Sequence, residues 1–283
     1  MENNAVISFL KIAKTDLRSS KILYENKLYL QSVFLLQQTI EKCNKALAIQ
    51  GEFFGLEEIK SFGHNAGSLF KGMIAQHLDE IKQVNSAKDK APTFFQLLKD
   101  CNIDFSNYEN KLIEFPIHVD ELRSQIDPLK IKSEQLNDIL NSIAQNYSDY
   151  QMILSKPSFR IHLRKLCLEI FEKLKTTDLF KYNVEEVDQF NNEDLTELIN
   201  IMEVILIRTL AICINSYSLH IESFIFDRLV SLVRYPNINN GKFFDPTLVF
   251  TSRHPLIKSI PQFHKLLNTA LTDLRKILIH SVK

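Results

Sequence analysis

The chain has 283 residues, of which 45% are apolar and 24% charged, a composition that excludes wholesale disorder. Lysine and arginine together number 34, as do aspartate and glutamate, so no overall basic excess indicates a nucleic-acid partner. Only 6 residues are glycine, and none lies between positions 73 and 240. Long helices exclude glycine, whereas strand bulges and phosphate-binding loops need it. The composition therefore predicts an all-α protein without a glycine-rich nucleotide loop.

The cysteines and the hydropathy pattern exclude two further classes. The 4 cysteines form no CxxC pair, so neither a zinc cluster nor a small disulfide framework is indicated, and no metal or cofactor is expected. The most hydrophobic segment carries Arg208 and Glu222, and its charge-free run is too short to span a bilayer. No signal-peptide pattern is present at the start of the chain. We therefore expect a cytoplasmic protein with no membrane partner.

Apolar spacing predicts two amphipathic helices at the start of the chain. The first runs from about Val6 and ends near Asn26, and Gly51 is expected to end the second. The apolar stripe of the second helix steps by three or four residues through Tyr29, Val33, Leu36, Ile40, Cys43 and Leu47. Because the connection over 26–28 is very short, the two helices should pack antiparallel.

The middle of the chain is also predicted to be helical. A glycine-bearing loop leads to a third helix that begins near His64 or Asn65, and residues 85–92 resemble a linker. Beyond the linker, three residues interrupt the helical pattern: Pro116, Pro128 and Pro157. Two further helices are expected over 130–155 and 158–175.

The last third of the chain is predicted as two helices and a loop. A hydrophobic helix ends near Val233, and the segment RYPNINNGKFFDP that follows it reads as a turn-rich loop. The final helix is expected to begin at Pro261, a residue favoured in the first turn of a helix.

Four motifs, in the same order, resemble the HEPN domain family (higher eukaryotes and prokaryotes nucleotide-binding). An A..DL..A..L opening is matched by Ala13, Asp16, Leu17 and Leu23, with Ser20 at the second alanine. The QQ..EK..KAL helix is matched by Gln37, Gln38, Glu41, Lys42, Lys45, Ala46 and Leu47. A GH(N/D)…L start of the third helix is matched by Gly63, His64, Asn65 and Leu69, and an RYP signature by Arg234, Tyr235 and Pro236.

The resemblance implies an antiparallel helical bundle that is elaborated by an inserted helical lobe. Residues 1–84 then hold the first three HEPN-like helices, and residues 204–283 complete the bundle. Residues 85–203 have no counterpart in short family members and form the predicted lobe.

The resemblance also implies a class of function. Family members are often homodimers that associate with RNA or nucleotides. Many belong to toxin–antitoxin or phage-defence systems, where a nucleotidyltransferase or antitoxin partner is common. The active branches are metal-independent endoribonucleases with an R-x4–6-H motif whose two residues meet across the dimer.

Arg275 and His280 match that motif and are the candidate catalytic pair. His280 is suited to proton transfer at the attacking 2′-hydroxyl or the leaving group, and Arg275 to the charge of the transition state. A pair at this spacing is also expected by chance in a chain of this composition. The two residues point about 140° apart on a regular helix. Val282 stands where active branches often carry tyrosine.

The candidate binding residues are Glu41, Lys42, Lys45, His64, Arg234 and Tyr235. Each has a structural alternative. Glu41 and Lys45 are spaced as a helix-stabilising ion pair, and His64 is placed to cap or pack at a helix start. Arg234 is suited either to phosphate or to an acidic side chain of the protein, with Tyr235 as the anchor of the loop.

Three functions follow from these observations. The leading hypothesis is a HEPN-type defence or toxin–antitoxin protein that binds RNA or nucleotide as a homodimer, and direct metal-independent RNA cleavage is a variant of it. The alternative is a non-catalytic protein–protein interaction and dimerisation module. Charge is polarised along the chain, since 178–203 is acidic and 253–283 is basic. The basic end permits a local phosphate-binding surface.

Overall fold

A computed structural model describes residues 2–63, 66–86, 88–90, 105–156, 192–234, 237–239 and 242–279. Isolated positions between 92 and 99 and between 161 and 172 are also described. The predicted helix over 158–175 and most of the acidic segment 178–203 lie largely outside these residues.

Nearly all of the described chain is helical. The helices in the first half are α1 (Glu2–Glu25), α2 (Tyr29–Gln50), α3 (Leu56–Ser61), α4 (Ala66–Ser86), α5 (Phe105–Gln125) and α6 (Ser133–Ser155), with a short 3-10 turn at Lys88–Lys90. The second half contains α7 (Asn192–Phe226), α8 (Leu229–Arg234), β1 (Asn237–Asn239), β2 (Lys242–Phe244), α9 (Pro246–Val249) and α10 (Pro255–Ile279). The two strands form one antiparallel hairpin. The all-α prediction is confirmed.

The first two helices pack side by side, as the short connection predicts. Lys27 adopts a left-handed backbone conformation at φ 62° and turns the chain within three residues. The side-chain hydroxyl of Thr39 lies 3.4 Å from the carbonyl oxygen of Ala13, and Ser20 and Ser32 exchange hydrogen bonds. Later residues of α2 thus contact earlier residues of α1, so the two helices are antiparallel.

Several element boundaries differ from their predicted places. The glycine-bearing loop contains α3, helix α5 continues through Pro116, and the segment predicted as a loop after Val233 contains the hairpin and α9. The long hydrophobic helix ends early, at Phe226. Asp227, which follows it, accepts a hydrogen bond from the backbone N–H of Gly67 at 3.2 Å, so the break is held by a distant segment.

The final helix begins six residues before the predicted Pro261, at Pro255. The imidazole Nδ1 of His254 accepts a hydrogen bond from the backbone N–H of Leu256 at 3.2 Å and so satisfies one of the free donors of the first turn. Pro261 consequently lies inside the helix. Pro255 gives the same first-turn signal as Pro261, so the sequence alone does not choose between the two starts.

The chain divides into two compact units. The first comprises Met1–Gln76, Pro116–Tyr147 and Ile212–Lys283. Its core confirms the predicted stripe of α2, because Val33, Leu36, Ile40, Cys43 and Leu47 are each at most 1% exposed. Apolar faces of α1, α8 and α10 pack in the same core.

The second unit comprises His77–Phe115 and Ser148–Ala211. Its described buried apolar residues include Ile81, Leu112 and Tyr150. The unit boundaries fall inside α4, α5, α6 and α7. The division of the sequence into 1–84, 85–203 and 204–283 stays a prediction.

Within the described ranges, every helix is too short or too polar to cross a bilayer. The cytoplasmic location stays a prediction.

Candidate functional site

The predicted binding residues on α2 form a connected polar network on one side of that helix. Gln38 donates hydrogen bonds to Gln37 at 2.7 Å and to Glu41 at 3.2 Å. Glu41 is 5% exposed and forms an ion pair with Lys45 at 2.8 Å. The network is therefore partly buried, whereas the spacing of Glu41 and Lys45 in the sequence predicts only an ion pair on the surface.

The ammonium group of Lys42 has partners on both α1 and α2. It lies 2.8 Å from a carboxylate oxygen of Asp16 on α1, and it donates to the side-chain oxygen of Gln38 at 3.0 Å and to the Gln38 backbone oxygen at 3.4 Å. Two of the three lysine donors are therefore used on Gln38, and the Asp16 carboxylate balances the charge. Lys42 thus ties α2 to α1.

Lys45 connects α2 to the turn before α4. Its ammonium group donates to Glu41 at 2.8 Å and to the backbone oxygen of Gly63 at 2.7 Å. Gly63 has a positive φ of 54°, a conformation that favours glycine. The Glu41–Lys45 pair therefore holds the turn at Gly63, the first residue of the predicted GHN motif. Two of the three lysine donors are used inside the protein.

The remaining predicted site residues are only partly described. His64, Tyr235 and His280 lie outside the described residues, and of Arg234 the structure gives only its place at the end of α8. Arg275 is half-buried on α10, close to the end of that helix at Ile279. Because His280 lies outside the described residues, the pairing of Arg275 with His280 stays a prediction.

Sequence reasoning missed a buried polar group in the core of the first unit. Glu222 on α7 is 1% exposed, and Cys43 on α2 and Tyr147 on α6 are both buried. The hydroxyl of Tyr147 donates to the side-chain oxygen of Asn215 at 2.9 Å. The sequence places Cys43 in the apolar stripe of α2 and Glu222 in the most hydrophobic segment, but spacing along the chain does not show that the two are neighbours.

Burial controls protonation throughout this group. Removal from water raises the pKa of Glu222 well above its ordinary value. The pKa of the Cys43 thiol and that of the Tyr147 hydroxyl are raised first by burial and then by the neighbouring Glu222 carboxyl. The chemistry favoured here is that of neutral acids held away from solvent, which suits a structural role better than nucleophilic catalysis.

Two further histidines, His220 and His264, have defined environments. Burial lowers the pKa of His220 to about 3, and its Nδ1 lies against the backbone oxygen of Ser216. Burial, aided by the charge of Lys21, lowers the pKa of His264 to about 4. Both imidazoles are therefore neutral at physiological pH. In the described part of the chain, no group of three or more histidine, cysteine or acidic side chains is arranged to hold a metal ion.

Comparison with known families gives a match to the model of the HEPN domain over residues 7–104, about a third of the chain. The predicted family resemblance is confirmed. The match ends inside the segment predicted as the inserted lobe, and the resemblance at the RYP signature stays a prediction. Neither the curated proteins nor the solved structures contain a match to the chain.

Proposed function

The chain carries a HEPN domain over residues 7–104. From this premise we propose that the protein is a HEPN-type component of a prokaryotic toxin–antitoxin or phage-defence system that binds RNA or nucleotide as a homodimer. The observation that carries the proposal is the HEPN match itself, because it indicates a function that involves nucleotides or RNA. A nucleotidyltransferase or antitoxin is the partner expected for such a protein.

RNA cleavage without a metal is the finer part of this proposal, and Arg275 and His280 are its proposed catalytic residues. Arg275 is half-buried on α10, and His280 directly follows the last described residue of that helix. In the proposed reaction, His280 exchanges a proton with the 2′-hydroxyl or the leaving oxygen. Arg275 stabilises the charge that develops on the phosphorus-bound oxygens.

The test compares the wild-type chain with His280→Ala and Arg275→Ala in growth assays and in cleavage of purified tRNA and mRNA with a chelator present. We expect the wild type to arrest growth and cleave RNA. Each substitution should slow cleavage by about 100-fold or more, because each removes a group that acts in the transition state. Lys276→Ala is the matched control, since Lys276 is the exposed neighbour of Arg275 on the same helix.

Two results would contradict parts of this proposal. Absence of cleavage and growth arrest in the wild type shows that the chain is not a ribonuclease. Equal activity of the wild type and His280→Ala shows that another residue carries the proton. RNA and nucleotide binding are measured separately by fluorescence anisotropy and calorimetry, and wild-type protein that binds neither contradicts the binding function.

A further inference from the structure

A groove of about 630 Å³ lies between α1 and α10 in the first unit. Its cationic lining residues are Lys14, Arg18, Lys21 and Lys265. The three on α1 are spaced by four and three residues, which places them on one face of the helix. Glu25 is the acidic residue that lines the groove, so positive charge predominates.

These four cations differ from the two lysines on α2. Lys42 and Lys45 lie within 2.8 Å of protein carboxylates. By contrast, all four groove cations are exposed, and none of them has an ion pair or a hydrogen bond within the described part of the chain. Like charges that converge on one groove repel one another, and an anion bound among them relieves that repulsion.

The inner wall of the groove is apolar and aromatic. Leu17 is 7% exposed, and Tyr24 and His264 are half-buried. The rings of Tyr24 and His264 meet edge to face with their centroids 6.2 Å apart. Flat rings beside cations provide surfaces for a planar base as well as for phosphate.

Hydrogen bonds fix the orientation of the His264 ring. The hydroxyl oxygen of Ser20 lies 2.8 Å from the backbone oxygen of Ser32 and 2.9 Å from Nε2 of His264. Because a carbonyl oxygen carries no hydrogen, the Ser20 hydroxyl must donate to Ser32, and its one hydrogen is then used. Nε2 of His264 must therefore donate to Ser20. The donor count assigns the Nε2–H tautomer, which makes Nδ1 an acceptor.

That acceptor is available to a ligand. Nδ1 of His264 makes no hydrogen bond with any residue that the structure describes. The ring is neutral at physiological pH, since burial and the charge of Lys21 lower its pKa. The groove thus combines cations for an anionic group with a neutral acceptor for a hydroxyl or N–H group, beside an aromatic surface.

We propose that the groove between α1 and α10 binds a nucleoside phosphate. Its phosphate groups lie among Lys14, Arg18, Lys21 and Lys265, and its sugar or base lies against Tyr24 and His264. The volume is within the range of small-molecule sites. The inference rests on the proposed function for the choice of nucleotides among phosphate-bearing ligands. This nucleoside phosphate is either a free nucleotide or a nucleotide within an RNA strand.

The experiment measures binding of ATP, adenosine and a short single-stranded RNA to the full chain without divalent metal. The groove variant is Arg18→Ala/Lys21→Ala, and the matched control is Lys130→Ala/Lys132→Ala. The control removes the same charge from exposed residues that do not line the groove. We expect the groove variant to bind about tenfold more weakly or worse, because it loses two charge-assisted contacts. The control should stay within about twofold of the wild type.

The outcomes separate this inference from the proposed function. Weaker ATP binding by the groove variant supports a free nucleotide as the ligand. If only RNA binding is weaker, the ligand is a nucleotide within an RNA strand, and the RNA affinity of the variant should then depend less steeply on salt concentration. Binding of both ATP and RNA that is equal in the groove and control variants overturns the inference and leaves the proposed function in place. Wild-type protein that binds neither ligand contradicts both. Adenosine binding as tight as ATP binding overturns the role of the cations.

A second measurement locates the ligand without any substitution. In the NMR spectrum of the wild type, the imidazole signals of His264 should shift when the ATP or RNA that binds is added. Those of His77, which does not line the groove, should stay in place. Binding that leaves the His264 signals unchanged overturns the inference.

Discussion

At the scale of single residues, Glu222 has the most unusual environment in the described chain. It is 1% exposed, and its Oε2 has no hydrogen-bond partner among the described residues. Burial raises the pKa of Glu222 well above its ordinary value of 4.5. Above pH 4.5 the unfolded chain releases this proton while the folded chain retains it. The contribution of Glu222 to stability is therefore fully present below that pH and is lost as the pH rises.

We predict that Glu222→Gln is more stable than the wild type at pH 8 and that this advantage shrinks toward pH 4.5. Glutamine has a similar shape and cannot ionise, so the variant protein folds without taking up a proton at this position. Urea unfolding at several pH values measures the difference. Glu134→Gln, at an exposed position in the first turn of α6, is the control and should show no such trend. A difference between Glu222→Gln and the wild type that does not vary with pH contradicts the prediction.

At the scale of elements, α2 is the centre of the first unit. Thirteen of its 22 residues are buried: Ser32, Val33, Leu36, Gln37, Thr39, Ile40, Glu41, Cys43, Asn44, Ala46, Leu47, Ala48 and Ile49. The sequence predicts its single apolar stripe correctly. Burial of the polar side was not predictable, because Gln37 and Glu41 look like surface residues until other segments cover them.

We predict that Ile40→Ala lowers the free energy of unfolding by about 2–5 kcal/mol, because it leaves a cavity in a core that is packed on several sides. Ile40 is 1% exposed. The matched control is Ile22→Ala on α1, where the side chain is 49% exposed and the loss should be under about 1 kcal/mol. Urea denaturation measures both. Equal losses at the two positions would show that α2 is not the centre of the core.

At the scale of the whole molecule, neutrality conceals an uneven distribution of charge. The chain carries 34 basic and 34 acidic residues. Acidic side chains neutralise the lysines of α2 in the folded protein, whereas the groove between α1 and α10 gathers cations that have no such partner among the described residues. A formal charge of zero therefore does not argue against a phosphate-bearing ligand.

We predict that the protein is a homodimer in solution, as the HEPN domain leads us to propose. Light scattering should give about twice the 32.9 kDa of one chain. The apparent melting temperature should rise with protein concentration, because association stabilises the folded state by mass action. The Lys130→Ala/Lys132→Ala variant should give the same mass. The mass of a single chain at every concentration would contradict the prediction.

The sequence by itself determined the helical class, the apolar stripe of α2 and the HEPN match over residues 7–104. Helix periodicity and low glycine content are local properties, so neighbouring residues are enough to reveal them. The last residue of α7 and the first residue of α10 were not predictable from composition. The contact of Gly67 with Asp227 helps to set the first, and the His254 cap helps to set the second.

Only the tertiary structure decided which charges are neutralised and which remain available. Lys42 and Arg18 look equivalent in the sequence, yet Lys42 meets Asp16 across a helix pair and Arg18 faces a groove. The groove itself exists because α1 and α10 pack together from opposite ends of the chain. The hydrogen bond from His264 to Ser20 spans 244 positions. Such contacts depend on how the helices fold back on one another, and the spacing of residues along the chain does not contain that information.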